Sequence, residues 1–476
     1  MLSATLYAQD AFSSLHYSSR IKAKNTAFLP TLYESELQDS FLGVTSSLIA
    51  SYNHSFGESE FNNYSFGFSL GYKGDRKLSF LFDYEKFKGK QTKFINDYLD
   101  EYQVFPGRGE VIVNGNSYSF KDLNYRIAYD ISKHFDVELG QSKHFIGSGY
   151  RSLLLSDNSS NYPFLRVTTT FWKVKYTNLY TTFIDSYSSP DKRKKHATFH
   201  YLDMQLLENL SFGIFESVLW QSKVEEYNNG YELAYLNPII FYRPVEFSMG
   251  SNKGNALMGI SLNLSFKQYK LYGQILLDDL NISRQKNRDE NYSEGFFQNK
   301  FAYQIGLKAN QLFNLKDLFA LAEYNQVQPY TYAHKIPMQN YTHMNQALAH
   351  PLGANFKEMI GILNYNYKEW NLELKWNHAI YGEDTMGTHY GKNIFLSDLE
   401  AQNEGQQYSY GNFNGQGIKT TQDYVTATIS HPIKQSKIYL YGQLISRQIS
   451  SDLQDVNHLY FLIGIKTNLH NSYLDF

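Results

Sequence analysis

The sequence predicts an all-β fold, a transmembrane antiparallel β-barrel of about 18 strands (16–18) with short periplasmic turns and long extracellular loops. Three observations predict it. Apolar and polar residues alternate with period two through nearly the whole chain, giving strands with one apolar and one polar face. Connections between these strands are alternately tight and long, the asymmetry of an outer-membrane barrel. Aromatic residues crowd the tight ends, where rings belong at the headgroup boundary.

The elements follow in chain order. Met1 to Gln9 is weakly apolar and reads as the tail of a signal sequence cleaved near Ala8 or Gln9. Residues 10–40 lack the strand pattern and are expected to form an N-terminal periplasmic segment, with Thr31 to Gln38 able to fold as a short helix. The barrel is expected over residues 41–476, starting with a strand near Phe41 to Tyr52. Alternation is clear in Leu123, Tyr125, Ile127, Tyr129 and Ile131, interleaved with Asp122, Asn124, Arg126, Ala128 and Asp130. It returns over 258–266, 301–308 and 459–466, and the strands run about 10 residues, as a tilted strand needs to cross a bilayer.

Tight turns are expected near Lys73 to Arg76, Ser132, Trp172, Glu208, Lys267, Asn314 to Asp317, Lys368 and Ile433 to Ser436, giving eight hairpins. Between them lie long polar stretches at 87–121, 143–162, 185–196, 221–255, 281–298, 328–356 and 382–420. A last strand near Asn457 to Leu469 brings the count to 18, an even number with both ends on the periplasmic side. Tyr72, Phe135, Trp172, Phe212, Tyr269, Trp370 and Tyr439 mark the girdle at the tight turns, and Phe476 resembles the terminal aromatic of outer-membrane barrels.

Composition removes other classes. The 476 residues include 41 Tyr and 34 Phe but no Cys, which excludes a disulfide scaffold and a thiolate zinc site. The longest mostly apolar stretch, Leu233 to Tyr242, is about half of the ~20 residues a membrane helix needs. Net charge is −2, so no basic field argues for nucleic acid.

No enzyme motif is present: Gly147-Ser148-Gly149 lacks the strand-to-helix setting of a nucleophile elbow and reads as a loop turn. No catalytic residue, cofactor or metal is predicted. His334, His343 and His350 share one loop, but their spacing matches no common ligand set. Asp278 with Asp279 and Glu225 with Glu226 are sequence neighbours, which point to opposite faces of a strand. Lys192, Arg193, Lys194 and Lys195 form one dense basic run, expected in an outer loop beside lipopolysaccharide. Tyr330, Tyr332, Asn340, Tyr341, Asn345 and Gln346 have the composition of a sugar-binding surface, rings beside amides, although Tyr is abundant throughout.

Four loop phrases then become informative: HFIGSGYRSLLLSD at 144–157, NYPFLR at 161–166, LNPIIFYRPVEF at 236–247 and ALAHPLGANF at 347–356. Together these resemble the Wzi-like capsule-assembly family of outer-membrane barrels, and within it the Bacteroidetes group named gliding motility protein RemB. The resemblance covers most of the chain from about residue 40. It implies a non-enzymatic outer-membrane protein of a Gram-negative bacterium that holds capsular or other polysaccharide at the cell surface, or supports gliding. The positions it marks are Arg151, Asp157, Tyr162 and Arg166, then Asn237, Tyr242, Arg243 and Glu246, then His350 and Asn355.

Expected partners are outer-membrane lipid and lipopolysaccharide, surface polysaccharide, and gliding or secretion machinery, with no nucleic acid. The alternatives are a porin or passive channel, since an ~18-stranded barrel is wide enough for one, and an accessory of a secretion or gliding machinery. Loops 143–162, 221–255 and 328–356 decide between them: if they fill the lumen, the channel reading weakens.

Overall fold

The computed structural model describes residues 28–30, 44–73, 77–115, 117–187, 192–224, 227–228, 233–238, 254–279, 295–384, 388–400, 402–403, 406–407, 410–433, 438–467 and 473–476. Eighteen antiparallel strands form a closed barrel. They are β1 (Val44–Gly57), β2 (Phe61–Lys73), β3 (Leu78–Gly89), β4 (Ser117–Asp130), β5 (Phe135–Ser142), β6 (Tyr162–Phe171), β7 (Val174–Asp185), β8 (Arg193–Leu207) and β9 (Leu210–Gln221). The second half comprises β10 (Asn255–Phe266), β11 (Tyr269–Asp279), β12 (Lys300–Asn310), β13 (Leu318–Val327), β14 (Phe356–Tyr367), β15 (Trp370–Glu383), β16 (Ile418–Pro432), β17 (Ile438–Ser451) and β18 (Asp455–Thr467). The ring closes where β1 pairs with β18, Ser51 opposite Lys466. Closure leaves no sheet edge, so every strand satisfies its backbone groups within the wall.

The alternation read from sequence sorts the side chains. On β4, Asp122, Asn124, Arg126 and Ala128 are buried, while Ile127 and Tyr129 are exposed. Polar residues therefore face the lumen and apolar ones face outward, the reverse of a water-soluble sandwich. All eight expected hairpins are present. Three of the two-residue turns place a non-glycine residue in the left-handed region, Trp172, Lys267 and Lys368, with φ of 54°, 51° and 54°, and the longer turn does so at Asn314 and Asp317. That conformation matches a two-residue turn to the twist of its strands. Phe135, Trp172 and Trp370 project outward at the short-turn end, as a girdle requires.

The long-loop half of the lumen is packed with protein. Loops 143–161 and 328–355 fold inward and share one core with the wall, in which Leu153, Leu154, Leu155, Tyr332, Tyr341 and Leu348 are each fully buried. Backbone and side-chain bonds lace the two loops together: Tyr332 and Tyr341 donate to the carbonyls of Leu153 and Leu154 at 2.8 and 2.6 Å, and Ser156 N–H donates to Leu348 O at 2.8 Å.

Three further segments join this plug. Helix α1 (Lys93–Tyr102), inside a stretch expected to be loop, buries Phe94, Ile95 and Leu99. Its Phe94 lies beneath the Arg447 guanidinium, 4.9 Å from the ring centre. Part of the segment expected in the periplasm, Phe28–Pro30, pairs antiparallel with the buried loop strand His144–Ile146. The signal tail and the expected helix at Thr31 to Gln38 lie outside the described residues. Finally, Tyr473–Phe476 do not continue the wall after β18: Tyr473 and Asp475 are buried against inward-facing residues of β13–β15.

Candidate functional site

The plug is locked at Arg151, whose loop approaches the wall through Gly149. A Cβ at Gly149 would lie 2.7 Å from the Arg151 carbonyl and closer still to Glu323 Oε2. Glycine there is a requirement of close approach rather than a flexible turn. Glu323 on β13 then accepts the backbone N–H groups of Tyr150 and Arg151 at 2.7 and 3.0 Å.

The Arg151 guanidinium bridges Asp475 and Glu358 at 3.1 and 3.3 Å, between the rings of Tyr150 and Tyr473 at 4.7 and 5.1 Å. Asp475 also meets Lys375 Nζ at 2.9 Å and accepts from Tyr150 OH at 2.6 Å. Burial alone would raise the Asp475 carboxyl, but Arg151 and Lys375 outweigh it and hold the group well below the usual carboxylate range.

Glu358 accepts from His350 Nε2 at 2.6 Å, Asn377 at 2.7 Å and Asn325 at 3.0 Å. His350 receives the Leu352 N–H at Nδ1, so its proton sits on Nε2 and the ring is neutral; burial pushes its pKa down despite Glu358. All the side-chain hydrogen bonds of Arg151 run through Nη2, while Nε and Nη1 are buried without a partner among the described residues; the bonds that are made join loop, wall and tail and so specify one arrangement of the loops.

The other marked positions are mostly further pins. Tyr162 is buried with its hydroxyl against His144. Arg166 lies on β6 and pairs with Glu138, as does Arg126. Asp157 accepts from Tyr473 OH at 2.7 Å. Asn355, left-handed at φ 58°, donates to Gln416 O at 2.9 Å and accepts from Gly415 N at 2.7 Å, tying loop 328–355 to the loop before β16. Asn237 is exposed. Tyr242, Arg243 and Glu246 lie outside the described residues.

The basic run is not a single outer-loop patch. Strand β8 begins at Arg193, and strand alternation separates the charges. Lys192 pairs with Glu110 and Arg193 with Asp185, both at 2.6 Å, and Lys194 is exposed. Lys195 points inward, fully buried, and donates to Asn340 O at 2.7 Å and Thr342 Oγ1 at 3.0 Å.

The sugar-like composition of loop 328–355 is likewise spent inside. Tyr330, Tyr332, Tyr341, Asn340 and Gln346 are buried, and only Asn345 of that set is half-exposed. The three loop histidines are engaged separately: His334 with Ile336, His343 with Ile184 and Asn161, His350 with Glu358.

Above the lock, half-buried rings from four separate regions converge. Tyr98 and Tyr102 of α1 lie 4.6 Å apart, and Tyr98 meets Phe476 edge-on at 5.0 Å. Tyr102 approaches Phe395 at 5.9 Å, and Phe395 stacks on Tyr187 at 4.5 Å with planes 17° apart. Amides border the rings: Asn345 donates to Tyr102 O at 2.9 Å, and Asn393 to Tyr187 OH at 3.1 Å. Burial, reinforced by Glu101, raises the Tyr102 phenol, so it remains a neutral hydroxyl. Rings beside amides are the chemistry that stacks on sugar C–H faces and binds hydroxyls.

No protein-family model matches the chain, and no curated protein matches it in sequence. Among solved structures, Wzi of Escherichia coli, described as an outer membrane protein involved in group 1 capsule assembly and a carbohydrate-binding β-barrel, aligns with a TM-score of 0.52. Identity is 12%, over 90% of this chain and 85% of that one. The fold is Wzi-like. OprD of Pseudomonas aeruginosa and OccAB2 of Acinetobacter baumannii align at TM-scores of 0.45 and 0.46 with 9% and 8% identity, covering 88% and 91% of this chain and 94% and 98% of theirs.

Sequence reasoning missed Tyr98, Tyr102, Tyr187 and Phe395 because they belong to different loops. It also missed Lys375 and Glu358, which alternation marks only as inward-facing. One signal was available: Leu153-Leu154-Leu155 and Ala347-Leu348-Ala349 are too apolar for loops bathed in water.

Proposed function

We propose that this protein is a non-enzymatic outer-membrane barrel that binds surface polysaccharide at its long-loop end and helps retain it on the cell. The carrying observation is the half-exposed ring cluster of Tyr98, Tyr102, Tyr187, Phe395 and Phe476, bordered by Asn345 and Asn393, over a lumen filled by its own loops. The outward apolar face supports a membrane location, and the Wzi-like fold supports a carbohydrate ligand. Plugging by loops 143–161 and 328–355 weighs against a passive channel. The gliding role implied by the loop phrases rests on those phrases alone.

The test is the partition of surface polysaccharide between washed cells and medium, in a strain lacking the gene and in strains carrying Tyr102→Ala, Tyr187→Ala or Phe395→Ala. Shedding at unchanged total synthesis is expected, with each ring removal weakening binding of the purified polysaccharide by roughly threefold to tenfold. Unchanged retention would reject anchoring; spreading on soft agar by the same strains tests gliding.

A further inference from the structure

The outer wall of β2, β3 and β4 carries a lysine cluster that no function described so far uses. Lys86 and Lys88 on β3 and Lys121 on β4 are all exposed, while their sequence neighbours Glu85, Phe87, Phe120 and Asp122 are buried toward the lumen. Alternation therefore turns the three lysines outward. The sheet register sets Lys86 directly opposite Lys121, with Phe66 on its other side and Tyr64 beside Lys88. Like charges directly opposite one another destabilise a sheet. None of the three has a carboxylate partner within 4 Å among the described residues: the neighbours Asn62, Tyr64, Phe66 and Ser119 are uncharged, and Glu110, in the segment that runs beside Lys121, is paired with Lys192 at 2.6 Å.

The row below is where the membrane-facing belt begins. Tyr84 lies opposite Leu123, Phe82 opposite Tyr125 and Phe80 opposite Ile127. Phe68, Leu70, Phe80, Phe82, Tyr125 and Ile127 shape a shallow, almost wholly apolar groove on this face. Phe68 and Phe82 stack at 5.7 Å along it. An apolar groove ending under three unneutralised ammonium groups is complementary to one kind of molecule, an amphiphile with an anionic head.

We propose that Lys86, Lys88 and Lys121 bind the phosphate of a phosphorylated membrane glycolipid whose acyl chain lies in the groove between β2 and β4. The phosphate supplies the counter-charge the opposed lysines lack, and ammonium groups at a membrane surface bind such heads electrostatically. The site lies on the outside of the wall and is independent of the plug and the aromatic cap.

The test uses the purified full chain in neutral detergent, titrated with bis-phosphorylated lipid A and followed by native mass spectrometry. The comparison ligand is the same lipid A with its phosphates removed, and inorganic phosphate serves as competitor. Wild type is expected to hold the phosphorylated lipid in a salt-sensitive manner. The variant Lys86→Gln/Lys88→Gln/Lys121→Gln is expected to bind it roughly a hundredfold more weakly, from the loss of three surface cations. Because these substitutions relieve repulsion, the variant's thermal midpoint should match or exceed that of wild type, which separates lost binding from lost folding. Equal binding by the variant, equal binding of the dephosphorylated lipid, or full displacement by millimolar inorganic phosphate would each overturn the proposal.

Discussion

Replacing Arg151 with Ala should release the Tyr473–Phe476 tail from the lumen. Arg151 is one of two cations on the fully buried Asp475 carboxylate, at 3.1 Å, and also contacts Glu358 at 3.3 Å. Deleting one partner of a buried ion pair costs about 3–5 kcal/mol, because the other charge is left uncompensated. Lys375, 2.9 Å from Asp475, retains part of the attraction, so the low end, about 3 kcal/mol, applies. At about 1.4 kcal/mol per decade, the detached population should rise by roughly a hundredfold. The chain contains no cysteine, so Leu474→Cys places a single thiol on the tail. Its rate of reaction with a maleimide reports detachment when opening is fast compared with labelling. The rate should increase by about two orders of magnitude in Arg151→Ala, and most of that increase should vanish when Asp475→Asn is added. An unchanged rate in Arg151→Ala would refute the lock.

Three other outcomes are expected. Gly149→Ala should free loop 143–161 from Glu323, since its new Cβ meets the wall, and should appear as proteolytic cleavage of that loop at temperatures where wild type is resistant. Asn355→Ala loses two loop-to-loop bonds and places Ala at φ 58°, costing about 2–4 kcal/mol, read as faster hydrogen exchange in residues 410–417. Acidification should loosen the plug: His343 is pushed down to about 3 and His334 to about 4, chiefly by burial, and His144 and His350 are lowered as well. A histidine held neutral binds its proton more readily once exposed, so its stabilisation is complete above about pH 6.5 and declines below it, by up to about 1.4 kcal/mol per pH unit for each ring exposed. Maleimide labelling of Leu474→Cys between pH 7.5 and 5, divided at each pH by the rate for an unstructured cysteine peptide because only the thiolate reacts, measures this, and a flat ratio would show that the histidines stay covered during opening.

The wall was legible in the sequence because barrel alternation is a local signal. Tight turns at Trp172, Lys267 and Lys368, and the inward placement of Asp122 and Arg126, follow from period two alone. What sequence could not convey is direction at the loops. A segment rich in Tyr and Asn reads the same whether it rises into solvent or dives into the lumen, so Tyr332, Tyr341 and Asn340 looked like a sugar-binding surface and are core. The basic run was misread for a related reason: β8 starts within it, and a strand divides adjacent lysines between its two faces. The ring cluster was invisible because Tyr102, Tyr187 and Phe395 are far apart in sequence and meet only after the loops have folded.

The lock joins residues 324 positions apart, Arg151 and Asp475. Its cation is synthesised early and its anion late, so during biogenesis Arg151 must wait, hydrated, while the intervening strands are laid down. The contacts of Asp475 can form only after the last residues are made and the tail turns back inside. Sealing is thereby expected late in folding, since its anion lies beyond the last strand of the wall. Variants that weaken the lock are therefore expected to keep the closed wall and its loop core and to lose only the inward tail, migrating like folded protein while the tail stays open to protease.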